Sequence, residues 1–264
     1  MKSISGSVVW ITGASSGIGE ALSYELSKMG NTLILSARNK ERLQEVKSRC
    51  EFPEKTHTLP LDLADHASMV KLVTEALSFC GKIDILVNNA GISQRSLIAD
   101  TQLDVYKKII NVNYLGTIAL TKALLPHFVE RQCGHFVTVT SLMGRFGSPL
   151  RSGYCGAKHA LHGFFDVLRM EHQADKLSVT MVCPGFVQTN IAYNALTADG
   201  TLQQKNDHAT GKGMPVELFA KKMIHAMAHR KFEVYIGGKE VSGIYLKRFF
   251  PRLLHKVVLR SDVV

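Results

Sequence analysis

Tyr154 and Lys158 stand four residues apart in "SGYCGAKHAL". On a helix that spacing sends both side chains out of the same face. A free phenol has a pKa of about 10, and a neighbouring ammonium favours its charged form. Such a pair can pass a proton near neutral pH. Ser141 ends an apolar run upstream, and Asn113 lies in "NVNYLGT". Near the start, "VVWITGASSGIGEAL" (residues 8–22) allows two chemistries. Gly13-Ala14-Ser15-Ser16-Gly17 fits G-x-S-x-G, a hydrolase nucleophile elbow with Ser15 as nucleophile. Extended through Ile18 to Gly19, the same residues form a glycine-rich loop between a strand and a helix start, which suits a dinucleotide phosphate.

The cofactor reading explains more residues. An elbow serine normally sits atop a sheet already built, whereas this one would follow the first strand. No HGGG-type segment precedes it. Gly17 and Gly19 are expected to let backbone approach a pyrophosphate, with Ser15 and Ser16 donating to phosphate or capping the helix. The spacing is G-x-x-x-G-x-G, not the general G-x-G-x-x-G. Taken singly, a Tyr–Lys pair, a strand-end serine and a helical asparagine are ordinary surface, turn and solvent-facing residues.

The elements needed to position these residues are present. Apolar runs at 7–12, 32–36, 57–61, 84–87, 134–140, 178–183 and 232–236 read as strands. Helix-period segments fall at 17–29, 40–49, 65–80, 103–131, 154–175 and 215–230. Nearly continuous apolar strands are covered on both faces, and strand–helix alternation implies a parallel sheet with right-handed crossovers. The expected fold class is α/β: one Rossmann-type doubly wound domain of about seven parallel strands, spanning 1–243. Residues 188–214 are too long for a plain connection and predict a substrate-side lid or a disordered loop.

Composition agrees. Of the 264 residues 45% are hydrophobic, enough for a sizeable core. The five cysteines, at 50, 80, 133, 155 and 183, form no C-x-x-C pair, which disfavours a zinc site or disulfide framework and suits a reducing compartment. The net charge of +10 comes with no nucleic-acid motif, so no nucleic-acid partner is expected. No leader-like segment precedes the first strand and no apolar run reaches spanning length. The expectation is a cytoplasmic protein, at most attached to a membrane surface.

TGASSGIG, NNAG, Ser141, YCGAK and PGFVQT, in this order, resemble the short-chain dehydrogenase/reductases over residues 5 to about 240. "NNAGISQRSL" and "NVNYLGT" are similar to the hydroxysteroid-dehydrogenase-like branch. Many members of that branch carry an N-terminal membrane anchor not seen here, so localisation is not carried over. The resemblance implies an NADP(H)-dependent oxidoreductase moving a hydride between nicotinamide and a carbonyl or secondary alcohol. The alternatives are a non-catalytic NADPH-binding sensor or scaffold and, more distantly, a serine hydrolase. Tyr154 would be the general acid, with its pKa lowered by Lys158 and the oxidised nicotinamide. Lys158 would bond the nicotinamide ribose, Ser141 would hold the substrate oxygen, and Asn113 would bend its helix and place a water linking Lys158 to solvent. Gly13, Asn89, Ala90, Gly91, Pro184, Gly185, Val187 and Thr189 join the cofactor set, and Asp62 and Leu63 face the adenine. Ala37 takes the place of the ribose-binding acid of NAD enzymes, and Arg38 follows it, which favours a 2′-phosphate. Gln94, Ser93, Leu142, Met143, Phe146 and Arg151 are expected to wall a small-molecule ketone, steroid or lipid-like substrate. A homodimer or homotetramer through 103–131 and 154–175 is implied.

The tail 244–264 is separate. Leu246, Phe249, Phe250, Leu253, Leu254, Val257 and Val258 recur at three- and four-residue steps, with Lys247, Arg248, Arg252, Lys256 and Arg260 between them. No acid occurs in 241–261. Pro251 predicts a kink or two short helices. The apolar stripe either closes the pocket or a subunit interface or, if exposed, makes peripheral contact with an anionic membrane.

Overall fold

The computed structural model describes residues 4–260. Seven strands, Val8–Thr12 (β1), Thr32–Ser36 (β2), Thr56–Thr58 (β3), Ile85–Asn88 (β4), Gly134–Val139 (β5), Leu177–Pro184 (β6) and Glu233–Ile236 (β7), form one parallel sheet in the order β3-β2-β1-β4-β5-β6-β7. Strand alternation divides the core. Val9 and Ile11 of β1 join Leu33 and Leu35 of β2 on one face, while Trp10 and Ile34 point to the other. The first face is covered by Gly17–Lys28 (α1), Lys40–Ser48 (α2) and Val216–Ala228 (α8), through Leu22, Leu26, Val46, Phe219 and Met223. The second is covered by Met69–Cys80 (α3), Thr117–Glu130 (α5) and Ser152–Glu171 (α6), through Val73, Leu124, Phe128, Leu161 and Phe165. Both faces are buried, which is why the strands read as uninterrupted apolar runs.

The chain runs outward from β1 to β3 and then returns to place β4 on the other side of β1. That reversal leaves a crevice at the carboxyl ends of β1 and β4, where doubly wound folds bind ligands.

Several boundaries differ from the sequence reading. The third strand was expected over 57–61 but spans Thr56–Thr58, beyond which Leu59 and Leu61 N–H still donate to the Leu35 and Ala37 carbonyls at 2.9 and 3.0 Å. The first turn of the 65–80 segment is the 3₁₀ turn His66–Ser68. The single helix expected over 103–131 is Leu103–Ile110 (α4), a π-helical turn Asn111–Gly116, and α5. Residues 188–214 are folded. They contain the short helix His208–Gly211 (α7) and a bridge from Leu196 to Gln94, with Leu196 N–H donating to the Ser93 carbonyl at 2.9 Å. The tail forms Ser242–Phe249 (α9) and Pro251–Arg260 (α10), broken at the proline as expected.

The π turn passes so close to the segment after β3 that a Cβ on Gly116 would lie 2.2 Å from the Leu63 carbonyl oxygen. Gly116→Ala must therefore shift a backbone. The expected cost is about 1–3 kcal/mol, as for other overpacked sites. It would be read from the urea midpoint at unchanged slope, and an unchanged midpoint would contradict this packing.

Candidate active site

A cavity of about 1100 Å³ opens at the carboxyl ends of the strands. Its walls run from the loop Gly13–Ile18, Arg38 and Asp62–Leu63, past Asn89–Gly91, to Ser141, Tyr154 and Lys158. Leu142, Met143, Phe146, Ser93, Arg151, Pro184, Gly185, Val187 and Thr189 also line it. Residues scattered over more than 170 positions thus share one wall.

Three expected site residues stand elsewhere. Gly19 does not line the cavity. A Cβ there would lie 2.2 Å from the Gly13 carbonyl, so this glycine lets α1 pack on the loop behind it. Gln94 is fully buried, its amide donating to Ser96 and Thr101 and its carbonyl accepting from Gly153 N–H at 2.8 Å. It braces the start of α6 and is not a substrate wall. Asn113 lies behind the wall, where it clamps Ile92: Oδ1 accepts from the Ile92 N–H and Nδ2 donates to the Ile92 carbonyl, both at 2.8 Å. The bend belongs to the π turn that carries it. A Cβ on Gly91 would come within 3.2 Å of Asn113 Oδ1 and 3.6 Å of Lys158 Nζ, so Gly91 keeps the space between them open.

The glycine loop is held from both sides. Gly13 and Gly17 have φ of +65° and +56°, a region that disfavours a side chain. Thr12 Oγ1 accepts from the N–H groups of Asn89 and Ala90 at 3.0 and 3.1 Å, and Asn89 Nδ2 donates to the Thr12 carbonyl at 3.0 Å. The Asn89 amide is therefore spent on the loop. Thr12 thereby joins the turns that follow β1 and β4. Ser16 occupies the N-cap of α1, yet its hydroxyl makes no capping bond. Among the described residues no histidine or carboxylate bonds Ser15, which leaves it without the base a nucleophile needs.

At the other end, burial dominates. Lys158 is buried and donates to the Val139 carbonyl at 2.8 Å. Desolvation brings its ammonium down to about 8. Tyr154 is equally enclosed. Burial pushes its phenol up, against the opposing pull of a hydrogen bond with Ser141 and the charges of Arg95 and Arg151. The phenol thus stands above its ordinary value and not lowered as expected from the sequence; Lys158 Nζ lies 5.7 Å from the Tyr154 ring centroid and is turned to a backbone carbonyl. Ser141 Oγ also accepts from Met143 N–H at 3.1 Å, which fixes the hydroxyl at the end of β5.

On the substrate side, Asp207 receives two arginines. Arg95 donates Nε and Nη2 to it at 3.0 and 2.5 Å, and Arg151 donates Nη2 at 2.9 Å. The three side chains are 1–6% exposed. This cluster ties the 188–214 segment to the residues just before α6. Spacings of 112 and 56 residues give it no signature in sequence.

Residues 7–199 match the family described as short chain dehydrogenase. The chain is 46% identical over 251 residues to mouse "Dehydrogenase/reductase SDR family member 7", covering 92% of this chain and 74% of that protein. A short-chain dehydrogenase structure from Streptomyces avermitilis superposes with a TM-score of 0.83 at 25% identity, covering 97% and 98% of the two chains. A short chain dehydrogenase/reductase from Burkholderia phymatum, solved in complex with NAD, gives 0.84 at 21% identity, covering 100% and 99%.

Burial opposes the Asp207 charge, but Arg95 and Arg151 outweigh it and hold the carboxyl below its ordinary value. A depressed carboxyl stabilises the fold above the unfolded value of about 3.9 and loses that contribution as pH falls below it. Asp207→Asn should cost about 3 kcal/mol at pH 7, because two buried guanidinium groups lose their counter-charge. It should also make stability fall less steeply with acid below about pH 4. Chemical denaturation at neutral and acidic pH would measure both, and parallel pH profiles would refute the assignment.

Proposed function

The chain belongs to the short-chain dehydrogenase/reductase family, and on that premise we propose that it is an NADP(H)-dependent oxidoreductase that reduces a ketone or aldehyde carbonyl to an alcohol. The observation that carries the reading is the cavity itself, with a glycine loop and a free cation at one end and Ser141, Tyr154 and Lys158 at the other. The residues fit a dinucleotide. Gly13 and Gly17 adopt the positive φ of a tight cradle, and Ser16 keeps its hydroxyl unspent. Arg38 is exposed beside the cavity and enters no ion pair among the described residues, and Ser36-Ala37-Arg38 carries no carboxylate to repel a 2′-phosphate. That the Burkholderia relative holds NAD supports a nicotinamide cofactor here.

The bound cofactor would supply the hydride. Ser141 and Tyr154 would hold the carbonyl oxygen, and Tyr154 would protonate it as negative charge develops there. A phenol raised above its ordinary value holds its proton at neutral pH and is present as the acid that carbonyl reduction requires. Lys158, charged below about pH 8, would face the ribose and steady the phenolate left behind. Leu142, Met143 and Phe146, with Leu246, Leu254 and Val258 from the tail, give the substrate end an apolar lining. That lining suits a mid-sized ketone of steroid or lipid-like character.

Tyr154→Phe keeps the ring and removes the proton. NADPH binding should persist while turnover falls 10²- to 10⁴-fold, the range for a general acid. Ser15→Ala should change turnover little. A carbonyl screen following NADPH oxidation reads both, and loss of turnover in Ser15→Ala with normal turnover in Tyr154→Phe would overturn the reading. Ala37→Asp with Arg38→Ala should move preference from NADPH to NADH, since the new carboxylate repels a 2′-phosphate and accepts from ribose hydroxyls. Equal affinity of the unaltered protein for both cofactors would remove the role given to Arg38.

A further inference from the structure

The tail carries two apolar surfaces where the sequence shows one stripe. The inward surface is Leu254, which is buried, with Ile244, Leu246 and Val258 packed around Leu142, Phe146 and Cys183. It holds α9 and α10 on the body beside the cavity. The outward surface is Tyr245 and Phe249 on α9, then Phe250, Leu253 and Val257 leading along α10. These five are 42–67% exposed; Tyr245 and Phe249 stand one turn apart on α9, Leu253 and Val257 one turn apart on α10, and Phe250 lies at the break between the helices. Single exposed apolar residues are ordinary, but a set of five on two adjoining short helices marks a contact site.

Charge decides what that contact is. Lys247, Arg248, Arg252, Lys256 and Arg260 flank the apolar surface, residues 241–261 contain no acid, and none of the five cations enters an ion pair among the described residues. A protein partner would have to match an exposed apolar set flanked within the tail by cations alone. An anionic bilayer supplies both complements, acyl chains for the aromatic and aliphatic residues and headgroups for the cations.

The surface also continues into the cavity. Val257 belongs to both, and Ile191 and Leu202 from the opposite loop line the cavity while 38% and 50% exposed. We propose that α9 and α10 dock this protein on an anionic membrane surface with the cavity mouth turned to the lipid, so that an apolar substrate enters from the bilayer. The substrate half of this inference rests on the reductase reading, whereas the docking half does not.

The test is co-sedimentation of the full chain with vesicles of phosphatidylcholine mixed with phosphatidylserine, and of phosphatidylcholine alone. Binding should be strong to the mixed vesicles, weak to the neutral ones, and reduced by salt. Each cation removed should lower partitioning about fivefold, so Lys247→Gln with Arg252→Gln and Lys256→Gln should lower it on the order of a hundredfold. Phe249→Ser with Phe250→Ser and Leu253→Ser should abolish binding to either vesicle. All six side chains lie outside the cavity wall, so melting temperature and NADPH-dependent reduction of a short water-soluble ketone should stay at the unaltered level. A long-chain methyl ketone presented in the mixed vesicles should be reduced more slowly by both variants. Wild-type protein that stays in the supernatant, or self-associates through this surface without binding vesicles, overturns the docking. Vesicle binding with no reduction of either ketone leaves the docking standing and removes the reductase reading.

Discussion

Lys158 is an ammonium taken out of water, and much of the active-site end of the cavity follows from that. Desolvation favours its neutral form and brings the ammonium down to about 8, and its Nζ donates to the Val139 carbonyl at 2.8 Å. The same desolvation acts with opposite sign on the adjacent phenol and keeps the Tyr154 proton in place. One burial thus moves two groups one helical turn apart in opposite directions, the ammonium down and the phenol up. The ends of β5 and β4 must then stop where a carbonyl and a glycine can meet this pair. Gly91 and the π turn at Asn113 satisfy that requirement.

The cofactor end rests on a different device. β1 and β4 are neighbours in the sheet although 72 residues of chain separate the end of one from the start of the other, and the Thr12 hydroxyl and Asn89 amide join the turns that follow them. The glycine loop and the Asn89–Gly91 turn are therefore tied to each other. Hydride chemistry needs the reacting atoms fixed to within a fraction of an ångström, and a cross-braced pair of strand ends supplies that rigidity.

The substrate end is assembled last and from the most distant parts. Asp207 brings two buried arginines together and draws the long β6–α8 connection over the cavity. The α9–α10 pair closes the remaining side through Leu254. Both contributors lie outside the most regular part of the fold, so the substrate end can differ between relatives while the sheet stays constant.

Glycine spacing, strand–helix alternation and the Y-x-x-x-K pair were legible in the sequence because each depends on local geometry: a positive φ, a burial period, a helical turn. They pointed to the doubly wound sheet and to the strand-end turns that line the cavity. Residues whose partners are distant in the chain were misread or missed. Gly19 and Gln94 carry the right residue types for a site, yet each is consumed by a neighbour, the Gly13 carbonyl in one case and the Gly153 N–H in the other. Thr12 opens TGASSGIG and Asp207 carries no motif, and the partners of both come within hydrogen-bond distance only once strand order and loop path are set. The division of the tail into an inward and an outward apolar surface was likewise decided by tertiary packing, because a helical stripe records which residues are apolar and not which of them find a partner.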